Sequence, residues 1–315
     1  MYVRKEAVLS SQIEGTQSSL ADLLEAEAQV LDPSRPRDVV EVLNYVQAMN
    51  YGLERLKSLP LSVRLMNEIH ARLMHNVRGQ ERNPGEIRRS QNWIGHAGCS
   101  LSEASFVPPP PHEISNALGD LERFMHNDAP IPALLKIGLV HAQFETIHPY
   151  LDGNGRIGRL LITFLLCKDE ILLRPVLYVS HFFKRHRQQY YDHLQLVRDR
   201  GDWEGWLKFF LQGVIEVSRE ATNTARSIVE LREVHRDLVA RKFGRGASNG
   251  LTVLENLFER PIITVRTVQD MLGVTKTAAN TIVNKFAGEG ILKEITGQKR
   301  YRVFRYDPYV SLFTG

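Results

Sequence analysis

Cysteine is nearly absent from this sequence. The two in 315 residues, Cys99 and Cys167, form neither a CxxC pair nor a cysteine–histidine spacing, which excludes a disulfide framework and a structural zinc site and leaves plain thiols. Long apolar runs are missing too. The most apolar, Leu160–Cys167 with Thr163 inside it, falls far short of the ~20 residues a membrane-spanning helix needs. Met1–Ser10 carries charges where a secretory leader requires an apolar stretch, so the chain reads as cytoplasmic, with no membrane partner. No internal repeat is present, which excludes a solenoid. With 43% hydrophobic and 24% charged residues, the composition is that of a soluble globular protein able to bury a core. Charge of one sign is also scarce: the net is +4. Yet residues 240–315 hold about 12 Lys and Arg against about 6 Asp and Glu, so the basicity belongs to the C-terminal part.

What is present is mostly helical periodicity. Residues 5–30 read as one amphipathic helix, stopped by the prolines of 32–36, because proline neither continues a helix nor lets its predecessor do so. Apolar residues at helical spacing recur over Val39–Leu56, Ser62–Met74, Glu113–Met125, Ala133–Phe144, Arg156–Cys167, Phe182–Val197 and Trp203–Ala240. One stretch differs. Glu86–Ile94 and Ala104–Val107, before the proline run Pro108–Pro111, predict a two-stranded β-hairpin flap over 86–108. Residues 241–249, rich in Gly, Ser, Arg and Asn, predict an exposed linker. The expected organisation is an N-terminal helical region at 1–35, a helical catalytic domain at 36–240 and a small domain at 250–315.

The most informative segment is His148-Pro149-Tyr150-Leu151-Asp152-Gly153-Asn154-Gly155-Arg156-Ile157-Gly158-Arg159, between two strongly apolar helical runs. Gly153 and Gly155 let backbone amides approach an anion, and the helix that follows adds the positive end of its dipole. Arg156 and Arg159, three apart on that helix, are placed to clamp outer phosphates of a nucleotide. Asp152 offers a carboxylate for Mg²⁺ against those phosphates. His148, ending the preceding helix, is the candidate general base. A calcium loop is excluded, since counting from Asp152 puts Ile157 and Thr163 where such a loop needs glycine and glutamate.

This segment resembles the signature of the Fic family, His-x-Phe-x-Asp/Glu-Gly-Asn-Gly-Arg-x-x-Arg, with Tyr150 replacing Phe as the one departure. The resemblance extends over residues 10–215. It implies an all-α Fic fold with a hairpin flap, and a protein adenylyltransferase that moves AMP from MgATP to a Tyr, Thr or Ser hydroxyl of a target protein or of the chain itself. By that resemblance His148 takes the hydroxyl proton, Asp152 binds Mg²⁺, Gly153, Asn154 and Gly155 hold the inner phosphates, and Arg156 and Arg159 hold the outer ones. Gln143 and Tyr190 are candidates for contact with adenine or ribose. Arg88–Gly95 resembles the family's flap, which pairs with the target backbone and places Ile94 and His96 near the acceptor.

Ser10-Ser11-Gln12-Ile13-Glu14-Gly15 resembles the family's inhibitory helix motif. Ser10, Glu14 and Gly15 would then form a brake, with the Glu14 carboxylate paired bidentately to Arg159 so that ATP binds misaligned. Relatives carry sequence upstream of this motif, which leads to the expectation of a start cut short. Thr267–Gly288 reads as helix, glycine turn and helix, and Gly290–Glu294 with Lys299–Phe304 as two strands, which together resemble a winged helix. Lys276, Asn280, Asn284, Arg300 and Arg302 are its candidate DNA contacts. Two other functions compete: a DNA-binding regulator whose core senses nucleotide, and removal of AMP at the same site with Glu14 positioning water. A homodimer is a further expectation.

Overall fold

The computed structural model describes residues 1–30, 38–79, 81–96, 98–128 and 130–314. Among these the protein is mostly helical, as expected. Contacts divide the chain into two compact units, one of Tyr2–Ser18 with Arg37–Arg219, the other of Met1, Ser19–Pro36 and Glu220–Gly315. In chain order the first ten helices are α1 (Tyr2–Ile13), α2 (Leu20–Glu27), α3 (Val39–Arg55), α4 (Val63–Leu73), α5 (Pro111–His126), α6 (Ala133–Ile147), α7 (Asn154–Lys168), α8 (Ser180–Arg185), α9 (Arg187–Arg200) and α10 (Trp203–Lys242). No helix among the described residues is long and apolar enough to cross a membrane.

The single helix expected over 5–30 is in fact two. α1 stops before Gly15, whose φ of +100° is open to glycine. Ser19 then restarts the chain as α2: its hydroxyl accepts from the Asp22 amide, and the Asp22 carboxylate accepts from the Ser19 amide. The proline stop at 32–36 lies outside the described residues. The helix expected over 182–197 likewise breaks, at His186, which leaves helical geometry at φ −112° and ψ 39°.

In the larger unit α6 and α7 are apolar nearly all round, and both are buried on most of their surface. They pack on each other, α3 packs on α4, and α1 lies against α3 and α8. The polar residues of α1 are part of that packing. Glu6 is buried, and its carboxylate accepts from the Ser180 hydroxyl, the Ser180 amide (3.2 Å) and Tyr45 Oη (3.3 Å). Burial pushes the Glu6 carboxyl up to about 7, against the Ser180 bonds, which favour the ion.

The smaller unit continues with α11 (Ala247–Leu257), β1 (Ile262–Thr264), α12 (Val265–Leu272), α13 (Lys276–Gly288), β2 (Lys293–Glu294), β3 (Val303–Arg305) and α14 (Asp307–Ser311). The strands form an antiparallel sheet of order β1-β3-β2, with Phe304 opposite both Ile263 and Glu294. Gly273, at φ +63°, turns the chain between α12 and α13, and Thr275 Oγ1 caps α13 on the Ala278 amide. Both later strands are shorter than their alternation suggested. Glu294 accepts from the amides of Thr296 and Gly297, closing the turn before a longer ladder can form. The segment 241–249 is not an irregular linker: α10 runs to Lys242, a 3₁₀ turn spans Gly244–Gly246, and α11 starts at Ala247. Its composition hid one anchor, the buried Phe243, which meets Phe286 edge-on at 4.8 Å.

Candidate active site

His148 ends α6 in a left-handed conformation, φ +49°, and Pro149 prevents the helix from resuming. Gly153, at φ +77°, opens α7, and a β-carbon there would meet Met74 Sδ at 2.9 Å. The five carbonyls between these two left-handed residues are all taken up by hydrogen bonds. His148 O accepts from Arg88 Nε (3.0 Å) and Pro149 O from the Arg88 amide (2.9 Å). Tyr150 O accepts from Asn154 Nδ2 (2.7 Å) and Asn92 Nδ2 (2.9 Å), Leu151 O from Arg82 Nη1 (3.5 Å), and Asp152 O from His70 Nε2 (3.0 Å). Few lone pairs of the loop are left to repel an anion. The first amides of α7 have no acceptor within their own helix, so the loop and the α7 terminus together favour negative charge.

Most of those donors escaped sequence reasoning. His70 sits on α4 as a lone histidine among apolar residues, a pattern that usually means core. Arg88 and Asn92 stand inside the flap stretch with no role of their own expected, and their side chains hold the loop. Asn154, expected at the phosphates, uses its side chain on Tyr150, accepting the Tyr150 amide (2.8 Å) as well as donating to its carbonyl. Only its backbone remains for an anion. The hydroxyl that Tyr150 adds to the signature donates to Asn67 Oδ1 at 2.8 Å, so the departure from Phe costs nothing in unsatisfied polarity.

The two arginines do not form a joint clamp. Arg156 Nη1 donates to Glu41 Oε2 on α3 (3.2 Å), and Arg156 Nη2 stands 3.6 Å from Asp152 Oδ1. Arg159 turns to α1, with Nε on Ser10 Oγ (2.8 Å) and Nη2 on both Ser10 O (3.1 Å) and Glu14 Oε1 (2.6 Å). Each guanidinium found its own acidic partner because positions three apart on a helix diverge by about 60°. The Glu14 pair is therefore single, not bidentate: Ser10 takes the second edge of the guanidinium. Glu14 Oε1 lies directly over Gly155, in the space a β-carbon would need. Burial pushes the Glu14 carboxyl up more than any single neighbour pulls it down, but the Arg159 charge, the Arg159 hydrogen bond and the Arg156 charge together outweigh it and hold the group below its ordinary range. Arg159 Nη1 is buried with no partner among the described residues, an uncommitted donor beside the α7 terminus.

His148 is partly exposed, with Nδ1 buried. Burial first, then the Arg198 and Arg88 charges, lower it to about 4, so at neutral pH the imidazole is uncharged. Asp152 is about a third exposed and flanked by Arg82 at 3.7 Å and Arg156 at 3.6 Å. No cluster of three or more His, Cys, Asp or Glu able to cage a metal occurs among the described residues. One carboxylate beside a phosphate loop nevertheless suits Mg²⁺, which takes one or two carboxylates and completes its shell with phosphate oxygens and water.

The flap is not a two-stranded hairpin. One antiparallel bridge, Ile94 to Phe106, joins its arms, and a 3₁₀ turn spans Leu101–Glu103. The ladder stops after Phe106 because Pro108–Pro111 have no amide hydrogen to give, and past Ile94 the chain turns on local bonds, Trp93 Nε1 donating to Cys99 O and Glu103 capping the Ser100 amide. Arg198 braces the arm, its guanidinium 3.9 Å from the centre of the Phe106 ring. His96 is exposed and Ile94 half-buried. Tyr190 is not on the open side. It is 1% exposed, its hydroxyl sits 2.9 Å from His141 Nε2, and it belongs to an aromatic cluster with Phe183 and Trp206; Tyr191 is the exposed neighbour. Gln143 is half-buried on α6, with no hydrogen bond to the loop among the described residues.

A histidine-led anion loop between two buried helices, with a glutamate from an N-terminal helix on its last arginine, defines a recognisable class. Residues 60–166 match the Fic/DOC family and residues 1–54 the Fic/DOC family N-terminal region. The chain belongs to the Fic/DOC family. The protein adenylyltransferase Fic of Culex quinquefasciatus is 28% identical over 256 residues, 77% of this chain and 47% of that one. Its counterpart in Aedes aegypti is 32% identical over 204 residues, 62% of this chain and 37% of that one. The chain thus spans less than half the length of these curated relatives. Among solved structures, a Fic family protein from Desulfovibrio desulfuricans has a TM-score of 0.63 at 18% identity, covering 97% of this chain and 86% of that one. A Fic domain containing signaling protein from Bacteroides thetaiotaomicron gives 0.58 at 16% identity, covering 70% and 85%. At such identities the likeness shows the fold.

Proposed function

We propose that this protein transfers AMP from MgATP to a hydroxyl side chain of a protein, at the loop His148–Gly153, and that Glu14 restrains the reaction. The observation that carries the reading is the juxtaposition of a neutral histidine with an anion loop whose carbonyls are all engaged. A hydroxyl oxygen attacks the α-phosphorus, its proton passes to His148 Nε2, and the bond from the α-phosphorus to the bridging oxygen breaks to release pyrophosphate. The first amides of α7, which have no acceptor within their own helix, and the α7 dipole stabilise the charge that grows on the leaving group. Asp152 is the residue that would hold Mg²⁺; when bound, the ion neutralises charge on the phosphates. Arg159, freed from Glu14, would hold the outermost phosphate with Nη1 and Nη2. The adenylyltransferase names of the mosquito relatives support the same reaction.

The test is to follow α-labelled and γ-labelled ATP into protein with Mg²⁺, with and without added candidate targets. Label from the α position alone is expected, on the chain itself where no target is supplied. Entry of γ-label would replace AMP transfer with phosphotransfer. Removal of AMP, the reverse reaction, would show as AMP released from a premodified target. A substitution probes the loop directly. Gly155→Ala puts a methyl group where Glu14 and Arg159 now meet the loop, and in a Glu14→Gly background it is expected to weaken ATP binding at least about tenfold by calorimetry, since the phosphates need that same space.

One observation favours a second, separate activity for the smaller unit. Arg302 Nη2 donates to Asn280 Oδ1 (3.2 Å) and Asn284 Oδ1 (3.1 Å), joining the strand arm to α13, while Lys276 and Arg300 are exposed. This surface suits duplex DNA, with amides for base edges and cations for phosphates. Fluorescence anisotropy with a labelled duplex is expected to show salt-dependent binding, and Arg300→Ala to reduce the salt slope by about 1. Binding that ignores salt, or its absence, would remove DNA as a partner.

A further inference from the structure

We infer that His70 is a positioning residue for the transfer reaction, holding the Asp152 end of the loop and the start of the flap segment in one piece. The inference rests on the reading of Asp152 as the magnesium ligand. Its evidence is geometric. His70 Nδ1 accepts from the Gly85 amide at 2.8 Å, so that nitrogen carries no proton; Nε2 stands 3.0 Å from Asp152 O, a carbonyl that can only accept, so Nε2 is the donor. The ring is thereby fixed as one neutral tautomer with both nitrogens committed. It also lies flat on Tyr150, 3.9 Å between centroids and 6° between planes, so its orientation is set by packing as well as by bonds.

The consequence follows from what lies at each end. Asp152 O belongs to the residue that carries the proposed metal carboxylate, and the next residue, Gly153, is the left-handed cap of α7 whose amide already binds Asp152 Oδ1 at 2.6 Å. Gly85 begins the segment that supplies Arg88 and Asn92 to three more carbonyls of the loop. His70 is the rigid strut between these two ends. Without it the Asp152 peptide is held on one side only, by the Gly153 amide on Asp152 Oδ1, and the carboxylate is less firmly aimed.

Two conservative variants separate the bonds. The amide nitrogen of Gln reaches the position of Nε2 and can donate to Asp152 O, whereas the amide oxygen of Asn replaces Nδ1 and can accept from Gly85 but leaves Asp152 O unbound. In a Glu14→Gly background, calorimetric titration of ATP with and without Mg²⁺ is expected to show the Mg²⁺ enhancement of affinity retained in His70→Gln. In His70→Asn it should fall about tenfold, with metal-free ATP affinity unchanged. AMP incorporation should follow the same order, with the Mg²⁺ concentration for half-activity raised in His70→Asn alone. Equal losses in both variants, or losses in metal-free and Mg²⁺-bound affinity alike, would mean a packing role and overturn the proposal. So would a Glu14→Gly parent whose ATP affinity ignores Mg²⁺. If that parent binds MgATP and transfers nothing, AMP transfer is the reading that falls, and the comparison of Gln with Asn still decides the role of His70.

Discussion

Glu14→Gly is expected to raise AMP incorporation from α-labelled ATP by about tenfold to a hundredfold, the size of effect that correct or incorrect placement of a reacting group produces. Arg159 is buried and its Nη2 is held at 2.6 Å by Glu14, so an incoming terminal phosphate must compete with a carboxylate already in place. Glycine removes the competitor and adds nothing that can take its position over Gly155. Arg159 keeps its two bonds to Ser10, so the guanidinium stays aimed at the site. ATP affinity should rise as well, because Glu14 Oε1 fills the space over Gly155 that the phosphates would need. Equal rates in wild type and Glu14→Gly, measured at saturating MgATP, would remove the brake from this account. Glu14→Gln is the finer probe: an amide keeps the shape, loses the charge and should release only part of the restraint.

His148→Ala is expected to lower AMP incorporation by about 10² to 10⁴ in the released Glu14→Gly background, the usual worth of a positioned general base, with MgATP affinity nearly unchanged. The pH profile carries the sharper signature. A histidine at its ordinary value of about 6.5 would be half-charged at that pH, with half of the molecules unable to act as base. Here burial and the Arg198 and Arg88 charges lower His148 to about 4, so its neutral form persists through the range where an ordinary histidine protonates. Incorporation should hold level from pH 8 to about 6 and fall only as the pH approaches about 4. Glu14 is one of the charges that raise His148, so removing it should push the acid limb lower still. An acid limb centred near 6.5 would contradict the environment described for this residue. A surviving rate in His148→Ala would mean that another group takes the proton.

The site could be found in the sequence because its chemistry is local. Twelve consecutive residues, His148 to Arg159, contain the helix end, the glycine turn, the carboxylate and the cations, so their grouping needs no long-range contact, though the two guanidinium groups turn to different acidic partners. Helix periods were legible for the same reason, since burial of one face repeats every 3.6 residues. The breaks at Gly15 and His186 were harder to see: a helix pattern continues through them, and only capping by Ser19 and the geometry of His186 interrupt it. Tyr190 shows the limit in the other direction. Its spacing next to Tyr191 allowed either ring to face the nucleotide, and only packing against His141 and Trp206 decided that it is core.

What the sequence determined by itself is the family, the all-α body, the glycine turn between two buried helices and the pairing of an N-terminal glutamate with the arginine beyond that turn. Tertiary structure decided how those parts are aimed. It sent Arg156 to Glu41 and Arg159 to Ser10 and Glu14, reduced the hairpin to one bridge, and brought Arg88, Asn92 and His70 in to hold the loop carbonyls. The reason is physical. The residue types needed to bind phosphate can be written in one short stretch, but the hydrogen bonds that hold that stretch rigid must come from other elements. Which donor reaches which carbonyl depends on the distances between packed helices, and residue spacing along the chain does not encode those distances.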